Sequence, residues 1–402
     1  MLVGGATCLL VGGGACLAAG APAAGREAAR SRAPREAARS LSAAGAPVRG
    51  AWRLLPRAPR PAPAGPLTAS VWTGRQMLVF GRFVPTPPHP GVDVAVAYTP
   101  SAGKWTRLAP LSGPIGNAQG GYHAVWTGRE MLVLGPFDFQ AFSPSTHRWR
   151  RLPAPPAGVD GAGLALWTGH EMVDWGGGCC GDALSAGWAF NPATNRWRTI
   201  AASPLAPSSS PVGVWTGGEM IVLVSGINPA DGRPYPSRLA RAAAYTPATD
   251  RWRRIAAPPA PYAYGTVFWD GHRVLLLAPR TMPVGRPPSP GRLLLAYSPS
   301  DNRWRQLASM PSGRSEFAAV WDGRRLLVWG GTTTSANVPQ SPAEGLAYDP
   351  RSNRWSSLPV APLRPRLGAI AAWTGHSMII WGGWTIGTRY LTDGAAFTPA
   401  VP

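Results

Sequence analysis

The chain has 402 residues, 49 of them Gly and 46 Pro, yet 45% of it is hydrophobic and 19 residues are Trp, so a packed core with many turns is expected rather than disorder. Charged residues make up only 14%, far below the ~25% of an average globular protein, which excludes helical bundles and coiled coils as the main architecture. The net charge is +20, from 39 Lys+Arg against 19 Asp+Glu; no interleaving of basic and aromatic residues along one face and no known motif accompanies it, so specific nucleic-acid binding is not expected.

Residues 1–24 carry no charged side chain and read as the apolar and cleavage regions of a secretory or lipoprotein signal. Gly13-Gly14-Ala15-Cys16 offers Cys16 as a lipid acceptor, although Gly13 stands where that motif has Leu. The alternative is an uncleaved membrane helix, with the arginines that follow favouring the cytoplasm on that side. Export is the reading adopted, which places the domain outside the cytoplasm, secreted or membrane-anchored. Residues 25–48 form a basic Ala/Arg-rich tether without an apolar stripe, and residues 49–402 form the folded domain.

That domain is a repeat. Trp-Thr/Asp-Gly recurs seven times, at Trp72, Trp126, Trp167, Trp215, Trp269, Trp321 and Trp373. Each copy follows a short apolar stretch and leads to a strand such as Met77-Leu78-Val79-Phe80, which is a hairpin pattern. A second signature, aromatic-x-Pro followed by a few polar residues and Trp, spans Tyr98 to Trp105, Phe142 to Trp149, Phe190 to Trp197, Tyr245 to Trp252, Tyr297 to Trp304 and Tyr348 to Trp355. Pro with Asn, Asp or Gly suits a second hairpin. Four strands in each unit of about 50 residues make the blade of a β-propeller. The seventh unit ends at Phe397-Thr398-Pro399 without its Trp strand, and that strand stands instead at Trp52-Arg53-Leu54-Leu55. The expected fold is therefore all-β, a seven-bladed propeller whose last blade is closed by the Trp52 strand, which removes an open edge.

These residues resemble the kelch repeat, as found in kelch propellers and in the central domain of galactose oxidase. The resemblance rests on strands ending in Gly-Gly (Trp175-Gly176-Gly177, Trp329-Gly330-Gly331, Trp381-Gly382-Gly383) and on Tyr348-Asp-Pro-x-Ser-Asn-x-Trp355, and covers the chain from about residue 52 onward. It implies the fold, here of an exported, bacterial type. It does not fix an activity, because kelch propellers host enzymes, protein-binding modules and adhesion domains alike.

Catalytic and metal signatures are sparse: no zinc spacing, no Gly-x-Ser-x-Gly and no phosphate loop occurs. A galactose-oxidase copper site cannot be placed, so neither cofactor nor metal is expected. His170, His272 and His376 share one turn slot with Arg75, Arg129 and Arg324 and read as solvent-facing. The position seven before each Trp-Thr/Asp-Gly starts the innermost strand near the central channel. It holds Gly65, Gln119, Asp160, Ser208, Tyr262, Arg314 and Arg366, of which the six with side chains form the candidate binding mouth. Kelch domains often carry Arg here, which Arg314 and Arg366 resemble.

Asp174 stands where other units have Val79, Val133, Val328 and Ile380 and should be buried. The Gly176-Gly177-Gly178 backbone beyond it is expected to supply donors. Cys179 and Cys180 either form a vicinal disulfide or remain two reduced side chains. The leading function is a monomeric, non-enzymatic scaffold binding a protein or glycan at the cell envelope. The alternative is an enzyme acting on a carbohydrate through Asp160, Asp174 or Glu316.

Overall fold

The computed structural model describes residues 45–65, 68–83, 91–115, 122–136, 138–159, 163–178, 182–226, 228, 235–236, 238–259, 265–279, 291–335, 338–387 and 389–400. Among them there is no helix, and seven antiparallel sheets of four strands follow one another. From the innermost strand outward, blade 1 is Thr68–Trp72, Met77–Phe83, Val92–Thr99 and Lys104–Arg107. Blade 6 is Ala318–Trp321, Leu326–Trp329, Gly345–Asp349 and Arg354–Ser357, with a small Thr333–Ser335/Val338–Gln340 hairpin in the link between its second and third strands. Innermost strands touch their neighbours all the way round, including Ile370–Trp373 of blade 7 against Thr68–Trp72 of blade 1. The chain is thus a closed seven-bladed β-propeller, as the repeats predict.

The inner turn shows why Thr and Asp interchange in the motif. Each carries an oxygen on a short side chain that accepts backbone N–H groups of the turn, as Thr127 does from Glu130 at 2.9 Å and Asp270 from Arg273 at 2.6 Å. The following Gly sits at φ between +89° and +102° in all seven copies, and a Cβ added there would meet nothing within 4 Å. Backbone conformation alone therefore selects Gly. Gly323→Ala is expected to cost about 1 kcal/mol. Gly331→Ala should cost more, because its Cβ would lie 2.5 Å from the Ser315 carbonyl. Urea unfolding of the two variants checks the order.

The second turn does two jobs. Asn302 and Asn353 adopt φ near +50°, and each Oδ1 accepts the hydroxyl of its own Tyr297 or Tyr348 at 2.9 and 2.8 Å. The same oxygen accepts a backbone N–H of the preceding blade, Ala256 or Ala308, each at 2.8 Å. The outer-strand Trp repeats this coupling seven times. Its indole N–H donates to a carbonyl just past the preceding blade's outer strand, from Trp52 to Pro359, Trp105 to Pro56, Trp149 to Ala109, Trp197 to Pro153, Trp252 to Ala201, Trp304 to Ala256 and Trp355 to Ala308, at 2.6–3.1 Å.

Apolar packing follows the same logic, with one buried cluster between each pair of neighbouring blades. Second strands such as Met77–Phe80, Met220–Leu223 and Leu326–Trp329 supply it with side chains shielded on both faces. Blade 7 takes its outer strand, Gly50–Leu54, from the other end of the chain. That strand pairs antiparallel with Gly394–Pro399, Trp52 opposite Phe397. Just before the expected boundary at residue 49, Gly45 and Val48 donate to the Trp355 and Ser357 carbonyls of blade 6, both at 2.9 Å. The expected signal segment and most of the tether lie outside the described residues.

Candidate functional site on the loop face

Both hairpin turns of a blade lie on one face of the disc, so the links from second to third strand and from blade to blade share the other. Isolated bridges tie these links together there: Ser315 pairs with Thr332, Leu367 with Trp384, and Trp384 with Tyr390.

Of the residues predicted to line the mouth, Gln119, Asp160 and Tyr262 lie outside the described residues, as do Cys16, Cys179 and Cys180. Ser208 is 7% exposed, and its backbone braces blade 3, accepting from Gly177 and donating to Leu184, both at 2.9 Å. Arg314 and Arg366 are buried, at 1% and 0%. The Arg314 guanidinium donates to Ser312 Oγ at 2.8 Å and to the Glu344 carbonyl at 2.9 Å. Arg366 grips the carboxylate of Asp393 through both terminal nitrogens, at 2.8 and 3.1 Å, and also donates to the carbonyls of Gly382 and Arg364. Burial lowers the Arg314 pKa, with the Glu344 charge opposing. Burial would raise the Asp393 pKa, but the hydrogen bond and charge of Arg366 hold it below the usual carboxylate range. Both arginines brace the mouth with their guanidinium groups turned to the protein.

Among the described residues of this face, a sector spanning blades 6, 7 and 1 is exposed to solvent. Glu316 adopts φ +54°, at the position where blade 7 has Gly368 at φ +62°. A left-handed conformation costs an ordinary side chain about 1–2 kcal/mol, and such outliers gather at functional positions. The Glu316 carbonyl accepts from Gly368 N at 2.8 Å, which joins blades 6 and 7 at the mouth. Although exposed, its carboxyl is desolvated enough by the surrounding protein for its pKa to rise. Gly368 itself is covered by the Trp384 ring, to which an added Cβ would come within 2.0 Å, and Gly65 by the Tyr390 ring at 3.0 Å. The exposed large apolar side chains among the described residues, Leu54, Val92, Val360, Ile386 and Tyr390, all lie at the loop-face end of these same three blades.

Asp174 is buried at 1% within the second strand of blade 3, opposite Ala165 and Trp188. The glycines after it adopt φ of +77°, +102° and +85°. The amides of Gly176 and Gly177 donate to Ala186 and Ser208 carbonyls instead of converging on Asp174, because the turn directs them into the loop. One polar cluster escaped the sequence reading. Asp93, its side chain 2% exposed, accepts from Tyr122 Oη and Ile115 N, both at 2.8 Å, beside Arg82 at 3.5 Å. Burial, then the Asp93 hydrogen bond and charge, raise the Tyr122 pKa. The cluster borders a cleft of about 650 Å³ lined by Pro61, Val94, Leu108 and Leu111. Partners 22 and 29 residues apart in an irregular link leave no periodic signal.

No family model matches the chain. It is 30% identical over 142 residues to Beta-scruin of Limulus polyphemus, a kelch-repeat protein; the match takes in 33% of this chain and 14% of that protein, so the chain spans only a small part of its curated relative. Among solved structures, that of YjhT, a kelch-type propeller, superposes with a TM-score of 0.51 at 15% identity, covering 69% of this chain and 94% of that one.

Proposed function

We propose that this chain, a kelch-repeat β-propeller, is an exported scaffold that captures a protein or glycan at the cell envelope through the loop-face sector of blades 6, 7 and 1. The observation that carries the reading is that the exposed large apolar side chains among the described residues, Leu54, Val92, Val360, Ile386 and Tyr390, all stand at this end of these blades. Scattered apolar side chains are ordinary on a surface, whereas a cluster at one end of a rigid ring forms a contact patch. The uncharged apolar run at residues 1–24 supports export.

Glu316 adds polar recognition at the mouth, where its carbonyl joins blades 6 and 7. Its strained backbone makes a test that separates function from folding. Glu316→Gly is expected to stabilise the fold by about 1 kcal/mol, by relieving the left-handed strain, and at the same time to weaken binding. Tyr390→Ala with Val360→Asp should abolish binding without lowering the melting temperature. The purified protein and these variants are to be compared on a glycan array and in capture from an envelope fraction. A partner held equally by all three proteins would refute the sector.

A second reading, an enzyme acting on a carbohydrate, draws on the raised pKa of Glu316, which suits a general acid. Among the carboxylates named for that role, Asp174 lies inside the sheet at 1% exposure, which leaves Glu316 as the described surface candidate.

A further inference from the structure

We propose that the opposite, hairpin-turn face of the disc docks on an anionic lipid surface. The argument starts from the residue directly before each outer-strand Trp: Lys104, Arg148, Arg196, Arg251, Arg303 and Arg354. All six are exposed at the turn end of their strands, and none makes an ion pair among the described residues. The cross-strand position, where a carboxylate would neutralise the charge, holds Thr99, Ser143, Asn191, Thr246 and Ser298 in the first five. In the sixth it holds Asp349, which lies 3.8 Å from Arg324.

Most acids of this face are already matched by other arginines. Glu130, Glu171 and Glu219 bind Arg150, Arg198 and Arg253 at 2.6–2.7 Å, and Asp270 and Asp322 bind Arg273 and Arg325 at 2.9 and 3.1 Å. Asp301 is held by Ser298 and Ser300. The six cations therefore have no ion-pair partner among the described residues and are distributed around the rim blade by blade. Beside them in turns of the same face stand Arg75, Arg129 and Arg351, which are exposed and make no ion pair there either, and the Asp301 carboxylate, which only serine hydroxyls meet.

Geometry selects the partner. Because the ring closes, all the turns share one face, and a planar anionic surface meets the six cations together, whereas a linear polyanion follows only one sector. Beside the inner turns stand the seven Trp of the Trp-Thr/Asp-Gly motif, half-buried in every blade. Indole rings next to cations match the headgroup layer of a bilayer. Among the described residues the exposed large apolar side chains lie on the other face, so the contact is electrostatic adsorption without insertion and is reversed by salt.

The test is flotation of the full chain with vesicles of phosphatidylcholine alone and of phosphatidylcholine with phosphatidylglycerol at 7:3. Binding to the anionic vesicles only, lost as salt is raised, is the expected result. Each cation near such a surface contributes about fivefold in affinity. Replacing Arg148, Arg196, Arg251 and Arg303 by Gln should then weaken binding by about a hundredfold or more. The same number of changes on the loop face, Arg57, Arg60, Arg364 and Arg389 to Gln, should leave it within about threefold. Equal binding to neutral vesicles, insensitivity to salt, equal losses in the two variants, or displacement from vesicles by charge-matched duplex DNA would each overturn the proposal. The first two readouts use the unsubstituted protein and decide the matter even if a variant fails to fold.

Discussion

Removing the Gly50–Leu54 strand is expected to abolish cooperative unfolding of the ring, and Trp52→Ala alone to lower the melting temperature by several degrees. The strand forms five register pairs with Gly394–Pro399, extended by Leu55 N to the Gly394 carbonyl and Ala400 N to the Arg49 carbonyl, which join the two ends of the chain in one blade. Trp52 packs on Phe397 and Trp329 at ring separations of 5.1 and 6.2 Å and donates to Pro359 of blade 6 at 2.9 Å. Two residues past the strand, Pro56 accepts the indole N–H of Trp105 from blade 1 at 3.0 Å. The segment is thus bonded on both sides, and its loss opens two blade interfaces. Truncating a packed Trp costs about 3–5 kcal/mol. Deleting the strand also bares the Gly394–Pro399 edge, which is then available for pairing with another molecule. Calorimetry should show a broad, non-two-state transition for the deletion, and sedimentation should show self-association. A deletion that melts at the parent temperature as a monomer would refute closure by this strand.

The fold was legible because the repeat is carried by residues whose chemistry is conspicuous: Trp before a turn, Thr or Asp capping it, Gly in a left-handed backbone. The missing Trp strand at residue 399 and the extra one at residue 52 revealed closure by counting. The couplings between blades were hidden, since the outer-strand indoles donate to backbone carbonyls of Pro56, Pro153, Ala201 and Ala256, and an acceptor of that kind has no sequence signature. Position along the strand was also easier to read than direction. The repeat gives Arg314 and Arg366 a position just ahead of the innermost strands Ala318–Trp321 and Ile370–Trp373, but whether their guanidinium groups meet a ligand or the protein depends on carbonyls sixteen residues further on, at Gly330 and Gly382. The contrast between Glu316 and Gly368 is visible only through φ, because a glutamate in a loop looks unremarkable until its backbone is found left-handed.

Arg366→Ala is expected to cost on the order of 2–3 kcal/mol, from the buried acceptor and the packing it leaves behind rather than from the ion pair. The side chain is fully buried, and its NH1 reaches three oxygens: the Gly382 carbonyl at 3.1 Å, the Asp393 carbonyl at 3.2 Å and Asp393 Oδ1 at 2.8 Å. These lie at the loop-face ends of the second and third strands of blade 7, so one guanidinium pins three strands together. Truncation removes the side-chain donor from the buried Gly382 carbonyl, whereas the Asp393 carbonyl keeps the Gly382 N–H at 3.1 Å, and an unsatisfied buried acceptor costs more than the net value of the bond it loses. Lysine should not rescue the loss, because a single ammonium cannot serve a planar fork of acceptors. Asp393→Asn, by contrast, should cost under about 1 kcal/mol, since that carboxylate is 50% exposed and solvent replaces much of what is lost. Arg314→Ala should fall between the two, because its Glu344 carboxylate stands off at 3.9 Å and only backbone and Ser312 contacts are close. Thermal melts and ligand capture on the same proteins separate the roles. A bracing arginine lowers the melting temperature first, with binding lost as a consequence, whereas a ligand contact would leave the melt unchanged and weaken capture alone.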